Sequence, residues 1–446
     1  MSAAAFLLVS KDILYNISVM VLNKPEISSV RAGSIPQSWQ ASSGWKAHST
    51  FKSIETWAFV LFGLLLFMSP LSTSGASIAK VLFGLAWLAG GYWRNLKKAL
   101  SRPWFWPLVA LVAINLLGML WTSDTARGLR VLAKLNCFAL ALSGSALPWD
   151  RARFKLVVRL FLAGLFINAI AGGLQWCHLD SWMPVNTDRN IYTGPIGFAN
   201  HIFLSMALAN ALLWIVYDLK HRIVLPRWPN AVLALIFFTQ LIITGGRAGQ
   251  AAFILLVPVA LWMLYPGRWR RQAMVAAALG IAGLSLSPMV RWRIQTGIND
   301  LRQYRSGNVE TSMGLRLVFW EGALKLAIEH PLLGVGTGDY GPGMASLQRV
   351  RSIPATPGLT IDHPHNSYLA YLAGLGLPGF FILLWFLWMV TKEAWVCRGS
   401  PEAWFKLCYM GIFLLGSLTD TLIWGFDNAL ALGVIMAMPA LIPASD

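Results

Sequence analysis

Charge is what this sequence has least of. Asp, Glu, Lys and Arg make up 12% of its 446 residues, where a soluble domain carries about 25%. With 56% hydrophobic residues and a mean hydropathy of +0.58, an ordinary soluble globular domain is excluded. Acidic side chains are scarcest, 19 against 36 Lys and Arg. Those in the long polar stretch past the middle (Asp300, Glu310, Glu321, Glu329, Asp339 and Asp362) are dispersed, with no D-x-D pair to hold a metal. The four cysteines, Cys137, Cys177, Cys397 and Cys408, are too few and too scattered for a disulfide framework or a zinc site. There is no G-x-S-x-G for a serine nucleophile, and no G-K-[ST] for a nucleotide phosphate loop. Internal repeats and low-complexity tracts are absent as well.

What is present is apolar length. About 20 apolar residues are needed to cross a bilayer. Such windows fall near residues 54–71, 76–93, 103–121, 129–148, 154–176, 198–217, 229–244, 247–265, 272–288, 367–391, 403–420 and 422–443. The expectation is an all-α polytopic membrane protein with about 12 transmembrane helices, and 22 Trp and 23 Phe suit a chain partly solvated by lipid. The net charge of +17 would suggest nucleic acid in a soluble protein. Here no basic stripe lies on a separate domain, so no nucleic-acid partner is expected. The basic residues fall in short loops instead: Arg94, Lys97, Lys98 and Arg102; Arg151, Arg153 and Lys155; Lys220, Arg222 and Arg227; Arg268, Arg270 and Arg271; Lys392 and Arg398. These clusters occupy alternate loops, while the short loops between them hold only Arg127 and Arg189. Under the positive-inside rule, that alternation puts both termini in the cytoplasm.

Four regions follow. Residues 1–53 form a cytoplasmic N-terminal segment without a cleavable signal pattern, with a short interfacial helix over 13–22. Residues 54–288 carry the first nine spans, 289–365 a large periplasmic loop, and 366–446 the last three spans. The loop is not featureless. Residues 314–329 place Leu315, Val318, Phe319, Gly322 and Leu326 on one face, an amphipathic helix rather than a span. Glu329-His330-Pro331 ends it, and a glycine-rich turn over 333–343 follows.

The candidate chemistry lies at the outer rim. Arg247 sits in the turn Thr244-Gly245-Gly246-Arg247-Ala248-Gly249, whose glycines permit close backbone approach to a ligand. Arg316 lies in the amphipathic helix one turn before Trp320, Arg189 in the shorter outer loop, and Arg130 and Lys134 one turn apart near the fourth span. Guanidinium forks suit phosphate oxygens and stay charged at any pH. The bland reading is that they snorkel to lipid headgroups. In Asp362-His363-Pro364-His365-Asn366, Pro364 favours a helix start and so places His365 in a first turn, where the imidazolium is disfavoured and the neutral ring can accept a proton. His363 reads as a packing or capping histidine. Asp420 and Asp427 flank the last outer turn, suited to orienting a partner, binding an acceptor, or structure alone.

The Thr244–Gly249 turn, Gly314-Leu315-Arg316 with Trp320, the Glu329–Gly336 turn and His363-Pro364-His365-Asn366, in this order, resemble the O-antigen ligase/polymerase superfamily over roughly residues 120–440, and within it the O-antigen ligases of the Gram-negative inner membrane. The resemblance implies a GT-C-type glycosyltransferase that uses neither metal nor nucleotide. Such an enzyme moves a glycan from undecaprenyl diphosphate to lipid A–core at the periplasmic face and inverts the anomeric centre. It further implies Arg247, Arg316 and His365, the last followed by Asn366, as catalytic residues, and Arg189 as the outer-loop basic position; with Arg189, the residues Arg130, Lys134 and Asn366 are read as binding substrate. An O-antigen polymerase or a protein O-oligosaccharyltransferase of the same superfamily differs only in acceptor. A transporter would want charges deep in several spans, and the polar residues here cluster at the rim.

Overall fold

The computed structural model describes residues 42–183, 194–286, 288–356 and 361–441. Arg189 and the interfacial helix expected over 13–22 lie outside the described residues. The chain divides into a short unit, residues 1–50, and a main unit, residues 51–446. All regular structure among the described residues is helical: α1 (Ser42–Met68), α2 (Thr73–Ala89), α3 (Lys97–Leu100), α4 (Phe105–Leu117), α5 (Thr125–Lys134), α6 (Ala139–Ser145), α7 (Arg151–Trp176), α8 (His201–His221), α9 (Arg227–Ile243), α10 (Arg247–Leu264), α11 (Gly267–Leu286), α12 (Pro288–Arg305), α13 (Ser312–Glu329), α14 (Tyr340–Arg349), α15 (Ser367–Val396), α16 (Pro401–Gly416) and α17 (Phe426–Ala437).

Among the described residues, four helices are long and apolar enough to cross a bilayer: α7, α8, α10 and α15. A fifth, α2, continues past a bend of 83° into Tyr92–Leu100. Shorter apolar helices occupy Ile54–Met68, Phe105–Leu120, Arg227–Ile243 and Phe426–Ala437. This is the fabric of a multi-pass membrane protein. One expected span, 129–148, is not a single helix. Asp124 caps α5 by accepting from Arg127 N, and this short helix carries Arg127, Arg130 and Lys134. A 3-10 turn, Leu135–Phe138, then separates it from α6. There α17 comes so close that a Cβ on Gly433 would lie 2.4 Å from the Cys137 carbonyl oxygen.

The four long helices differ in what surrounds them. The apolar window of α8 is 83% buried, that of α10 only 22%. Helix α8 is therefore the central post and α10 an outer helix with much of its surface left for lipid. Gly249 lets α10 lie on α8, since a Cβ there would meet the Ser205 backbone at 2.2 Å. Gly246 and Gly249 thus serve contact between helices, while Gly245 and Gly246 also line a cavity beside Arg247.

Loops with the basic clusters gather at one end of the bundle. Arg102 Nε meets Glu393 Oε1 at 2.5 Å and Lys406 Nζ meets Glu393 Oε2 at 2.8 Å. Both cations also donate to Met436 O and Met438 O, which the end of α17 leaves without helical partners. Arg153 pairs with Glu55, Lys220 donates to Leu264 O, and Arg159 donates to Val224 O at 3.1 Å.

At the other end the polar segments between α12 and α15 are folded, not loose. Val318, Phe319, Ala323 and Leu326 of α13 pack with Tyr340, Met344 and Leu347, so the amphipathic face buries against α14. The glycine-rich turn is shorter than the sequence suggested: it ends at Asp339, and Gly341 to Gly343 belong to α14. The turn runs along α15 where that helix breaks at Gly376, φ +64°. Val335 N and Gly336 N donate to Ala373 O and Gly374 O at 3.0 and 2.9 Å, and Leu377 N donates to Pro331 O at 2.8 Å. Backbone groups that the break releases are thereby satisfied.

Among the described residues, Glu393 is the one carboxylate that pairs with Arg102 and Lys406. Glu393→Ala is expected to lower stability by about 3–5 kcal/mol, as when one partner of a buried pair is removed. Thermal unfolding of the detergent-solubilised protein measures it, and an unchanged midpoint contradicts the ion cluster as a structural tie.

Candidate active site

The first turn of α15 is set by Asn366, whose Oδ1 accepts from Tyr368 N and Leu369 N at 2.9 and 3.0 Å. Asn366 is therefore the N-cap, and His365 stands one residue outside the helix rather than in its first turn, at φ +50°. Pro364 does not open the helix, because the capping side chain sits two residues later. A left-handed non-glycine residue costs about 1 kcal/mol, so surrounding contacts must hold it. They come from the turn after α16: Asn366 Nδ2 donates to Leu418 O at 3.0 Å, Asn366 N to Thr421 Oγ1 at 3.2 Å, and Ser367 N to Ser417 O at 2.8 Å. With its Oδ1 spent on capping and one Nδ2 hydrogen on Leu418, Asn366 positions the residues just before α15.

His365 Nδ1 lies 3.0 Å from Asp420 Oδ1. The carboxylate holds a proton on Nδ1 and leaves Nε2 as the acceptor. Burial pushes the Asp420 carboxyl up, but the hydrogen bond from His365, the charges of both histidines and the Thr421 N–H outweigh it and hold it below the usual carboxylate value. Phe319 of α13 stacks on the His365 ring, centroids 6.0 Å apart, and His363 meets it edge-on at 4.4 Å. His363 Nδ1 accepts the His365 backbone N–H at 3.3 Å. Burial, reinforced by His365, lowers the His363 pKa to about 4.

Asp420 is a shared wall. On one side lies a cavity of about 370 Å³ lined by Arg247, Arg316, Trp320 and aliphatic residues of α10 and α16, among them Ala251, Leu255 and Leu415. Arg316 Nε and Trp320 Nε1 are buried there without a hydrogen-bond partner. Burial lowers the Arg316 pKa, which Asp420 opposes and Arg247 reinforces. Among the described residues no carboxylate pairs with either arginine. Two cations with idle donors in one half-apolar cavity repel each other until an anion sits between them. On the other side is a cavity of about 350 Å³ lined by Lys134, His363, His365, Trp424 and Asp427. Both cavities include Ile202 and Asp420.

Of the residues singled out in the sequence, Arg247, Arg316, His365 and Lys134 thus meet around Asp420. Arg130 does not: it is exposed on α5, away from both cavities. Asp420 stood out in sequence as a flanking acid suited to orienting a partner, but which partner was not legible, since His365 lies 55 positions away. One further property concerns metal. Ligand atoms of His363, His365 and Asp420 lie within 4.8 Å of one another, close enough for a divalent ion. A metal there competes with the proton shared by His365 Nδ1 and Asp420 Oδ1.

Residues 232–384 match the family model described as O-antigen ligase. The match supports the O-antigen ligase/polymerase superfamily over that part of the chain. The matched stretch contains Arg247, Arg316 and His365, whereas Lys134, Asp420 and Asp427 lie outside it. No curated protein matches the chain. The O-antigen ligase stretch therefore supplies the arginine turn, the α13 helix and the histidine, and the turn after α16 completes the constellation.

His363 provides a pH test of this packing. Its ordinary value is 6.5 and its folded value about 4, so in that interval the unfolded chain binds a proton that the folded one refuses. Stability present above pH 6.5 is lost as pH falls toward 4. His363→Asn keeps an acceptor near the His365 N–H and removes the titration. The Tm drop between about pH 7.5 and about pH 5 should be smaller in the variant than in the parent protein; equal drops contradict the buried neutral ring.

Proposed function

We propose that the protein is a glycosyltransferase of the inner membrane, an O-antigen ligase of GT-C type. It takes a glycan from undecaprenyl diphosphate and joins it to a hydroxyl of lipid A–core at the periplasmic face. The single observation that carries this is the wall formed by Asp420, with an anion-seeking arginine pair on one side and a carboxylate-held imidazole on the other. The family match supports lipid-linked glycan chemistry in a membrane. The alternation of basic loops supports the periplasmic orientation.

The donor diphosphate lies between Arg247 and Arg316, with the Arg316 Nε–H and Trp320 indole N–H donating to its oxygens. Its polyprenyl chain follows the aliphatic wall of α10, the helix with most surface left for lipid. His365 Nε2 takes the proton of the acceptor hydroxyl while that oxygen bonds to the anomeric carbon. The bond from that carbon to the phosphate oxygen breaks, and the diphosphate leaves with the electron pair. Attack from the face away from the leaving group inverts the centre. Asp420 stabilises the imidazolium that forms, and the arginines stabilise the charge growing on the diphosphate. No step draws on a metal.

Arg247→Ala, Arg316→Ala and His365→Ala, each in cells lacking the native enzyme, should lose O-antigen ladders on lipopolysaccharide gels. The purified variants should lose ~10² or more in rate, the usual effect of removing one transition-state contact. Undiminished ladders in all three refute the assignment. EDTA should leave the purified enzyme's rate unchanged; strict dependence on an added divalent ion turns the histidines and Asp420 into metal ligands and removes this mechanism.

A further inference from the structure

We infer that the cavity behind His365 is the acceptor subsite, and that Lys134 and Asp427 set which acceptor it takes. The ligand class is a sugar that carries an anionic group close to the hydroxyl it offers. This rests on the transferase reading above and adds to it the chemistry of the acceptor.

The two cavities that meet at Asp420 differ in kind. The arginine side is walled by Ala251, Leu255 and Leu415. The far side is walled by Lys134, His363, His365, Thr421 and Asp427, and its volume of about 350 Å³ suits sugar rather than a long lipid chain. A nucleophile that attacks opposite the diphosphate has to enter from there.

Two groups in that wall await a partner. Asp427, in the first turn of α17, has its Oδ1 buried without a hydrogen bond. A buried carboxylate oxygen left bare is costly, and a sugar hydroxyl donating to it removes the cost. Lys134, at the end of α5, makes no ion pair among the described residues, and Asp362 and Arg130 are the charges it feels. The two do not pair with each other although they line one cavity. A ligand with a hydroxyl for Asp427 and a negative charge for Lys134 satisfies both at once, and places the neighbouring hydroxyl before His365.

The experiment uses the full chain in detergent, an undecaprenyl-diphosphate-linked glycan, and lipid A–core as isolated, dephosphorylated, or carboxyl-reduced. For the unaltered protein, one of the two treatments should raise the acceptor KM about tenfold, the weight of one charge-assisted contact. Which treatment does so tells phosphate from sugar-acid carboxylate. Lys134→Met should erase that discrimination and Lys134→Arg keep it. Asp427→Asn should raise the acceptor KM on all three acceptors, with the donor KM within about twofold. Should Asp427→Asn not purify intact, Asp427→Glu carries the same expectation of an altered acceptor KM alone. Normal transfer that ignores both treatments, or variants that shift the donor KM instead, overturns the acceptor subsite while leaving the transferase standing. Failure of the unaltered protein to transfer to any acceptor removes both.

Discussion

The candidate site's end of the bundle is organised around one hydrogen bond, between the imidazole of His365 and the carboxylate of Asp420. It joins a residue just before α15 to a turn just after α16, and lesser bonds from Asn366 and Ser367 to the same turn keep it in register. The arrangement tolerates a left-handed backbone at His365 because capping, stacking on Phe319 and the His363 contact together outweigh its cost. A residue so held has few alternative orientations, which is what a base poised over a substrate needs.

The second constraint is electrostatic. A chain with few acids leaves its buried cations to find other partners. At one end Arg102 and Lys406 share Glu393 and the last carbonyls of α17. At the other, Arg247 and Arg316 share a cavity and, among the described residues, have no such carboxylate within 4 Å. The contrast separates a structural ion cluster from a binding site. Both hold enclosed cations, and among the described residues only the first pairs them with a carboxylate. Residues of α10, the helix with much of its surface left for lipid, line that cavity.

Local signals in the sequence carried a good part of this. Apolar runs located α7, α8, α10 and α15, and period and capping residues located α13 with its end at His330. Arg247, Arg316 and His365 were legible because each sits in a short motif with its own chemical sense. What escaped depends on pairs distant in sequence. The role of Asp420 rests on a partner 55 positions away, and the work of Gly249 rests on the α8 backbone. The capping role of Asn366 is visible only once the helix start is known. Residues 129–148 looked like a span because hydropathy does not register the approach of α17 that accompanies their 3-10 turn. Helix α14 was hidden by two glycines and a proline among its first residues and by the three glycines of the turn before them.

The most direct measurement is an experimental map of the protein with an undecaprenyl-diphosphate-linked glycan bound. The diphosphate should lie between the guanidiniums of Arg247 and Arg316, with the lipid along α10. The anomeric carbon should face His365, and Asp420 should still be on Nδ1. A diphosphate seated away from both arginines, or a metal ion in place of the His365–Asp420 proton, contradicts the account.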